Sequence, residues 1–162
     1  MIRIAFIGDV VGRPGRRMLQ EHLQNLKNKE SIDFVIANGE NASHGFGINR
    51  KNAKELLNSG VDFLTGGNHS WDQKDMISML EDMPVIRPIN YPDEVPGVGV
   101  KVLHIRGEKI AIINTLGHYG MPMVENPFKK TEACVKELLS QDVKNIFIDF
   151  HAESTAEKRG LH

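Results

Sequence analysis

Four short apolar runs in this chain each end on a side chain able to hold a cation. They are I-A-F-I-G-D at Asp9, F-V-I-A-N-G-E-N at Glu40 and Asn41, F-L-T-G-G-N-H at Asn68 and His69, and I-F-I-D-F-H at His151. Apolar runs of four to eight residues bounded by turn signals read as strands buried on both faces. Such strands, separated by helical segments, require an α/β fold with a parallel sheet and right-handed crossovers. Open sheets of this kind bind ligands beyond the carboxyl ends of their strands. The four polar tips are therefore expected to converge at one edge of a sheet, and such a convergence points to metal-dependent hydrolysis.

The segments between the runs support this alternation. Residues 2 to 8 read as the first strand, after which Pro14 opens a helix with Met18, Leu19, Leu23 and Leu26 at helical spacing. Asp33 to Asn38 is the second strand. Asn49 then caps a helix containing Ala53, Leu56 and Leu57, which ends near Gly60. Val61 to Thr65 is the third strand, and Asp72 with Asp75 resembles a capping arrangement before a helix bearing Met76, Ile77 and Leu80. The stretch from Pro84 to Gly99 reads as a connection. Beyond it, Val98 to Ile105 and Lys109 to Thr115 flank an R-G-E turn as a hairpin, which makes the sheet system mixed. Asn126 and Pro127 start a further helix using Phe128, Val135, Leu138 and Leu139. Val143 to Phe150 is the last buried strand, and the final eleven residues are expected to be helical or frayed.

No repeat or linker divides the 162 residues, so a single domain over 1–162 is expected, large enough to bury roughly 70% of its unfolded surface. The only cysteine, Cys134, falls on the apolar side of its helix and reads as core. The N-terminal apolar segment is too short for a signal sequence or a membrane span, so cytoplasmic residence and no membrane partner are expected. With 20 basic and 21 acidic residues there is no global field that would hold nucleic acid in a stable complex, and a small ligand is the better expectation. Arg13, Arg16 and Arg17 cluster at the start of the first helix, where they read either as a solvated face or as a phosphate contact.

Each candidate ligand also has an ordinary explanation, since acidic residues after strands commonly cap turns. Glu40 stands out because N-G-E-N places one carboxylate between amides in a tight turn, where it can bridge two cations while Asn41 adds a neutral oxygen; Asn38 reads equally well as turn structure. In G-G-N-H-S-W-D the two glycines allow close backbone approach while Asn68 and His69 project side by side. Asn68 suits a metal through its oxygen, and His69 suits a general acid because imidazole titrates near neutral pH. His151 ends a buried run and reads as a ligand held by outer hydrogen bonds, with Asp149 and Glu153 nearby. His44 and His118 are candidate substrate contacts. His22, His104 and His162 read as structural or exposed. Trp71 and Tyr119 are available to stack on a base, although core packing is the commoner use. A nitrogen and oxygen ligand set without thiolates suits manganese, iron or zinc. Two such cations about 3.5 to 4 Å apart can flank a phosphoryl group and supply a nucleophile at neutral pH.

Taken together, I-G-D-V-V-G-x-P-G, N-G-E-N-A-x-H-G, G-N-H-x-W-D, R-P-x-N and I-F-I-D-F-H-x-E resemble the YmdB-like branch of the calcineurin-like metallophosphoesterases. The resemblance runs from the first strand to the end of the chain. It implies a sandwich of two mixed β-sheets flanked by helices and a dinuclear centre of divalent or trivalent ions, iron or manganese first and zinc as the alternative. It also implies hydrolysis of small phosphodiesters, 2′,3′-cyclic nucleotides above all and cyclic AMP as a further substrate. Carried over residue by residue, Asp9 and Asn41 bind the first metal, Glu40 bridges, Asn68 and His151 bind the second, and His69 donates the proton. The chain stops soon after H-A-E-S-T-A-E-K, before the segment where relatives have G-T-H-T-H, so the C-terminal part of the domain and two histidine ligands are expected to be missing. The alternative reading is a non-catalytic nucleotide- or metal-binding regulatory protein that retains the fold without a complete metal site. A homo-oligomer is left open. The glycines after the first strand have the wrong intervals for G-x-G-x-x-G, no P-loop motif occurs, and the paired cysteines of zinc deaminases are absent.

Overall fold

The computed structural model describes residues 1–161; His162 lies outside the described residues. The chain forms two compact units, Met1–Val85 and Ile86–His162, each with helices flanking its own sheet.

The first unit is built on strands β1 (Ile4–Ile7), β2 (Phe34–Asn38) and β3 (Phe63–Thr65), which are joined by helices α1 (Gly12–Glu30) and α2 (Arg50–Asn58). Both crossovers return the chain parallel: Ile7 lies opposite Ala37, and Asn38 opposite Thr65. The carboxyl ends of all three strands therefore fall on one edge, and the segments holding Asp9, Glu40 and Asn68 emerge there. Helix α3 (Met76–Asp82) and the two-residue strand β4 (Val85–Ile86) follow, giving a sheet order of β1-β2-β3-β4. Val35, Ala37, Leu23, Ala53, Leu56, Leu64, Met76 and Met79 form the buried core of this unit.

Several local expectations are met through the physics that motivated them. Asn49 caps α2 by accepting the Asn52 N–H at 2.9 Å, and Gly60 takes a φ of +107° after the helix end. Others need correction. Helix α1 begins at Gly12, two residues before Pro14, and Val11 provides no side-chain cap. Met18 and Leu26, expected in the core, are exposed along the flank of the apolar stripe, while Leu23 lies at its buried centre. In α3, Ile77 is exposed and Met79 takes the core position. Strand β4 falls in the stretch read as a connection, because two residues are too few to show a period.

The second unit contains β5 (Val100–Ile105), β6 (Glu108–Leu116), α4 (Pro127–Ser140), β7 (Asn145–His151) and α5 (Thr155–Gly160). The first two strands form the expected hairpin, with Ile105 opposite Glu108. Its two turn residues, Arg106 and Gly107, both have positive φ, the conformation a tight right-twisted hairpin demands. Val98 lies outside β5 and is exposed. Strand β7 runs parallel to β6, so this sheet is mixed. Asn126 caps α4 through the Lys129 N–H at 3.1 Å, with Pro127 in the first turn. Cys134 packs with Ala111, Ile113, Leu138 and Val143, and burial first, with Glu137 second, pushes its thiol above the ordinary range. The R-P-I-N stretch is structural: Arg87 is buried and donates to the carbonyls of Pro88, Val95 and Pro96. Burial lowers the Arg87 pKa, against an opposing effect from Asp93. Among the described residues, no helix is long and apolar enough to cross a membrane.

Candidate metal centre

At the carboxyl edge of the first sheet, the turn after β2 is fixed from below. Asn38 Oδ1 accepts the Glu40 N–H at 3.2 Å, and Asn38 Nδ2 donates to the Gly66 carbonyl at 2.9 Å. Asn38 is thus turn structure. Gly39 allows the close fit, since a Cβ there would meet Ile48 Cδ1 at 3.0 Å. The turn leaves Glu40 almost fully buried, at 1% exposure, with Asn41 half-buried beside it.

Asn41 joins the two acidic candidates. Its Nδ2 donates to Asp9 Oδ2 at 2.8 Å and to Glu40 Oε1 at 3.1 Å. Two like charges therefore share one neutral donor, an arrangement that a cation would relieve. A primary amide has a donor at one end and an acceptor at the other, so rotating Asn41 exchanges those hydrogen bonds for an oxygen ligand. Two carboxylates and an amide oxygen form a hard donor set, and on that chemistry these residues fit a divalent cation. Among the described residues, no three His, Cys, Asp or Glu side chains form a cluster able to hold a metal.

The other oxygen of Glu40 reaches the segment after β3, where Oε2 accepts the His69 N–H at 3.1 Å. Ser70 fixes this turn through its hydroxyl, which bonds the N–H and the carbonyl of Gly67. Asn68 is half-buried immediately before His69. The His69 ring is held at Nδ1, 2.7 Å from Asp72 Oδ2, which leaves Nε2 as the nitrogen available for proton transfer. Phe46 lies edge-on to the imidazole, with ring centroids 5.2 Å apart. The loop carrying Phe46 is folded by Gly45 and Gly47, both at positive φ, and a Cβ on Gly47 would meet Gln73 Cγ at 2.8 Å.

The structure therefore brings Asp9, Glu40, Asn41 and His69 together, with Asn68 adjacent. Two participants escaped the sequence reading. Asp72, read as part of a cap, instead faces His69, and the helix-capping position belongs to Asp75, which makes no side-chain cap bond. Phe46 lies in the glycine-containing loop after Glu40, where no residue spacing links it to His69. The three-residue spacing from His69 to Asp72 was the available signal. His44 sits exposed in a left-handed conformation in the same loop. Trp71 packs against the core rather than standing free, whereas Tyr119 is exposed.

In the second unit, His151 ends β7 opposite Leu116, and its carbonyl accepts the Gly117 N–H at 2.9 Å. His118 follows β6 and is exposed, with Nε2 at 3.1 Å from the Val124 carbonyl and 3.2 Å from that of Glu125. The backbone N–H groups of His118 and Tyr119 are both held by the Glu157 carboxylate.

The family described as YmdB-like protein matches residues 5–162. The chain belongs to the YmdB-like family. A curated relative, the 2′,3′-cyclic-nucleotide 2′-phosphodiesterase of Bacillus subtilis (strain 168), is 44% identical over 161 residues, 99% of this chain and 61% of the relative. The crystal structure of a hypothetical protein from Thermus thermophilus superposes with a TM-score of 0.90 at 37% identity, covering 99% of this chain and 62% of that one. A novel phosphatase from Mycoplasma pneumoniae does so with a TM-score of 0.90 at 36% identity, covering 99% and 58%. The chain thus spans about three fifths of the length of these YmdB-like relatives.

Proposed function

We propose that this chain carries the metal-binding and proton-donating residues of a phosphodiesterase acting on small cyclic nucleotides, 2′,3′-cyclic nucleotides first and cyclic AMP as a further substrate. The observation that carries the reading is the Asp9–Asn41–Glu40 cluster, bound through Glu40 to the backbone of His69. The activity for which the Bacillus subtilis relative is named supports the choice of substrate.

In this reading, which takes the division of roles from the family pattern, Asp9 and Asn41 would hold one cation, Glu40 would be shared with a second, and Asn68 and His151 would be ligands of that second ion. Iron or manganese is favoured by the ligand set, with zinc as the alternative. When bound, the ions supply a nucleophile at neutral pH and neutralise charge on the phosphoryl oxygens. The protein's own work is orientation and proton transfer. Asp72 holds the His69 ring at Nδ1, so that Nε2 is the nitrogen placed to deliver a proton to the departing ribose oxygen. Phe46 packs against the ring at nearly a right angle and so limits its movement. His44 and His118 are proposed to contact the substrate.

The test is hydrolysis of 2′,3′-cyclic AMP by the purified chain with manganese, alongside Glu40→Gln and His69→Ala. The expected result is loss of manganese binding in Glu40→Gln. In His69→Ala, binding should be retained while turnover falls about 10²- to 10⁴-fold. Parent-like manganese binding by Glu40→Gln would overturn the metal assignment, and nucleotide binding without any turnover would favour a regulatory role.

A further inference from the structure

We propose that Arg16 is a positioning residue that clamps the Glu40–Asn41 turn. Its consequence for metal affinity rests on the function proposed above; the clamp itself does not. Of the three arginines at the start of α1, Arg17 pairs with Glu21 on the exposed helix surface. Arg16 is different: it is only 8% exposed, and its Nη1 donates to the carbonyl of Ala42, itself fully buried. Its Nε lies 3.1 Å from Glu55 Oε2 on α2, off hydrogen-bonding alignment, so that contact is one of charge. One side chain thereby links α1, α2 and the segment immediately after Glu40 and Asn41.

The backbone around it extends the same clamp. Val10 N–H donates to the Asn38 carbonyl at 3.0 Å, and Gly12 N–H, at a φ of +56°, donates to the Asn41 carbonyl at 2.9 Å. Gly15 lies against Val10, where a Cβ would meet Val10 Cγ1 at 3.1 Å. Residues 10–16 thus present three donors to the carbonyls of residues 38, 41 and 42. Without Arg16 the Ala42 carbonyl would be buried and unpaired, and Glu55 would lose its counter-charge. Lysine keeps the charge but lacks the planar fork that addresses two partners in different directions.

The experiment measures amide hydrogen exchange and manganese binding for the parent, Arg16→Met and Arg16→Lys. In Arg16→Met, exchange across residues 39–45 should accelerate about tenfold or more while strands β2 and β3 keep their protection. Manganese affinity should fall by about tenfold, with Arg16→Lys intermediate in both measurements. Parent-like exchange across 39–45 in Arg16→Met overturns the proposal. If Arg16→Met does not fold, parent-like exchange and manganese affinity in Arg16→Lys overturn it equally. A parent that binds no manganese, together with locally faster exchange in the variants, sinks the metal reading and leaves the clamp standing.

Discussion

At the residue scale, the same side-chain chemistry serves the site in one place and the scaffold in another. Asn41 lies between two carboxylates, whereas Asn90 is fully buried and tied to backbone: Nδ2 donates to Leu116 O at 2.7 Å and to Glu125 O at 3.0 Å, and Oδ1 accepts from Leu116 N at 3.0 Å. Asn90→Ala leaves three backbone groups without these partners and should cost about 2 to 4 kcal/mol, measured by urea unfolding. Asp72→Ala releases the His69 ring; turnover should fall roughly 10- to 100-fold with manganese binding preserved, as a group acting through its neighbour would show. Cys134 gives a pH signature. Its thiol pKa is raised in the fold from an ordinary value of 9.0, so its contribution to stability is complete below that pH. That contribution is lost as pH rises toward the folded value, because the unfolded chain ionises first. Unfolding free energy should therefore fall more steeply above pH about 9 in the parent than in Cys134→Ala.

At the element scale, caps and turns were readable because they depend on neighbours three or four residues away. Asn49 and Asn126 each accept an N–H three positions on, and replacing either with alanine should lower stability by about 1 kcal/mol, seen as a shift in denaturation midpoint. The hairpin turn was readable for the same reason, since Arg106 and Gly107 directly join paired strands. The face of each helix was only partly readable. Periodicity located the apolar stripe of α1 but not its width: Leu23 is 1% exposed, and Met18, five residues earlier, is 57% exposed. What lies opposite a stripe depends on the elements packed against it, which a periodic pattern does not encode. Strand β4 was missed because its pairing, rather than any local pattern, defines it.

At the scale of the whole molecule, the chain has two units, each with its own core, and spans about three fifths of its YmdB-like relatives. A cation bound only by the folded chain must stabilise it: at a free manganese concentration about 100 times the dissociation constant, unfolding free energy should rise by about 2.7 kcal/mol. A chelator should remove that gain, and Glu40→Gln should never show it, as thermal unfolding would record. The amino-acid order alone determined that β1, β2 and β3 are parallel, and hence that Asp9, Glu40 and Asn68 leave the sheet on one edge; the burial it implied holds for β2 and β3 but not for β1, an edge strand whose Phe6 is 40% exposed. The parallel order follows from local hydrophobic runs and from the handedness of crossovers. Only tertiary structure decided the partners on that edge: Asn41 on Asp9, Asp72 on His69, and Arg16 beneath Ala42. The Asn41 and Arg16 contacts join residues 32 and 26 positions apart. Asp72 lies within reach in the sequence, but its choice between capping a helix and holding an imidazole was settled by how the turn after β3 folds.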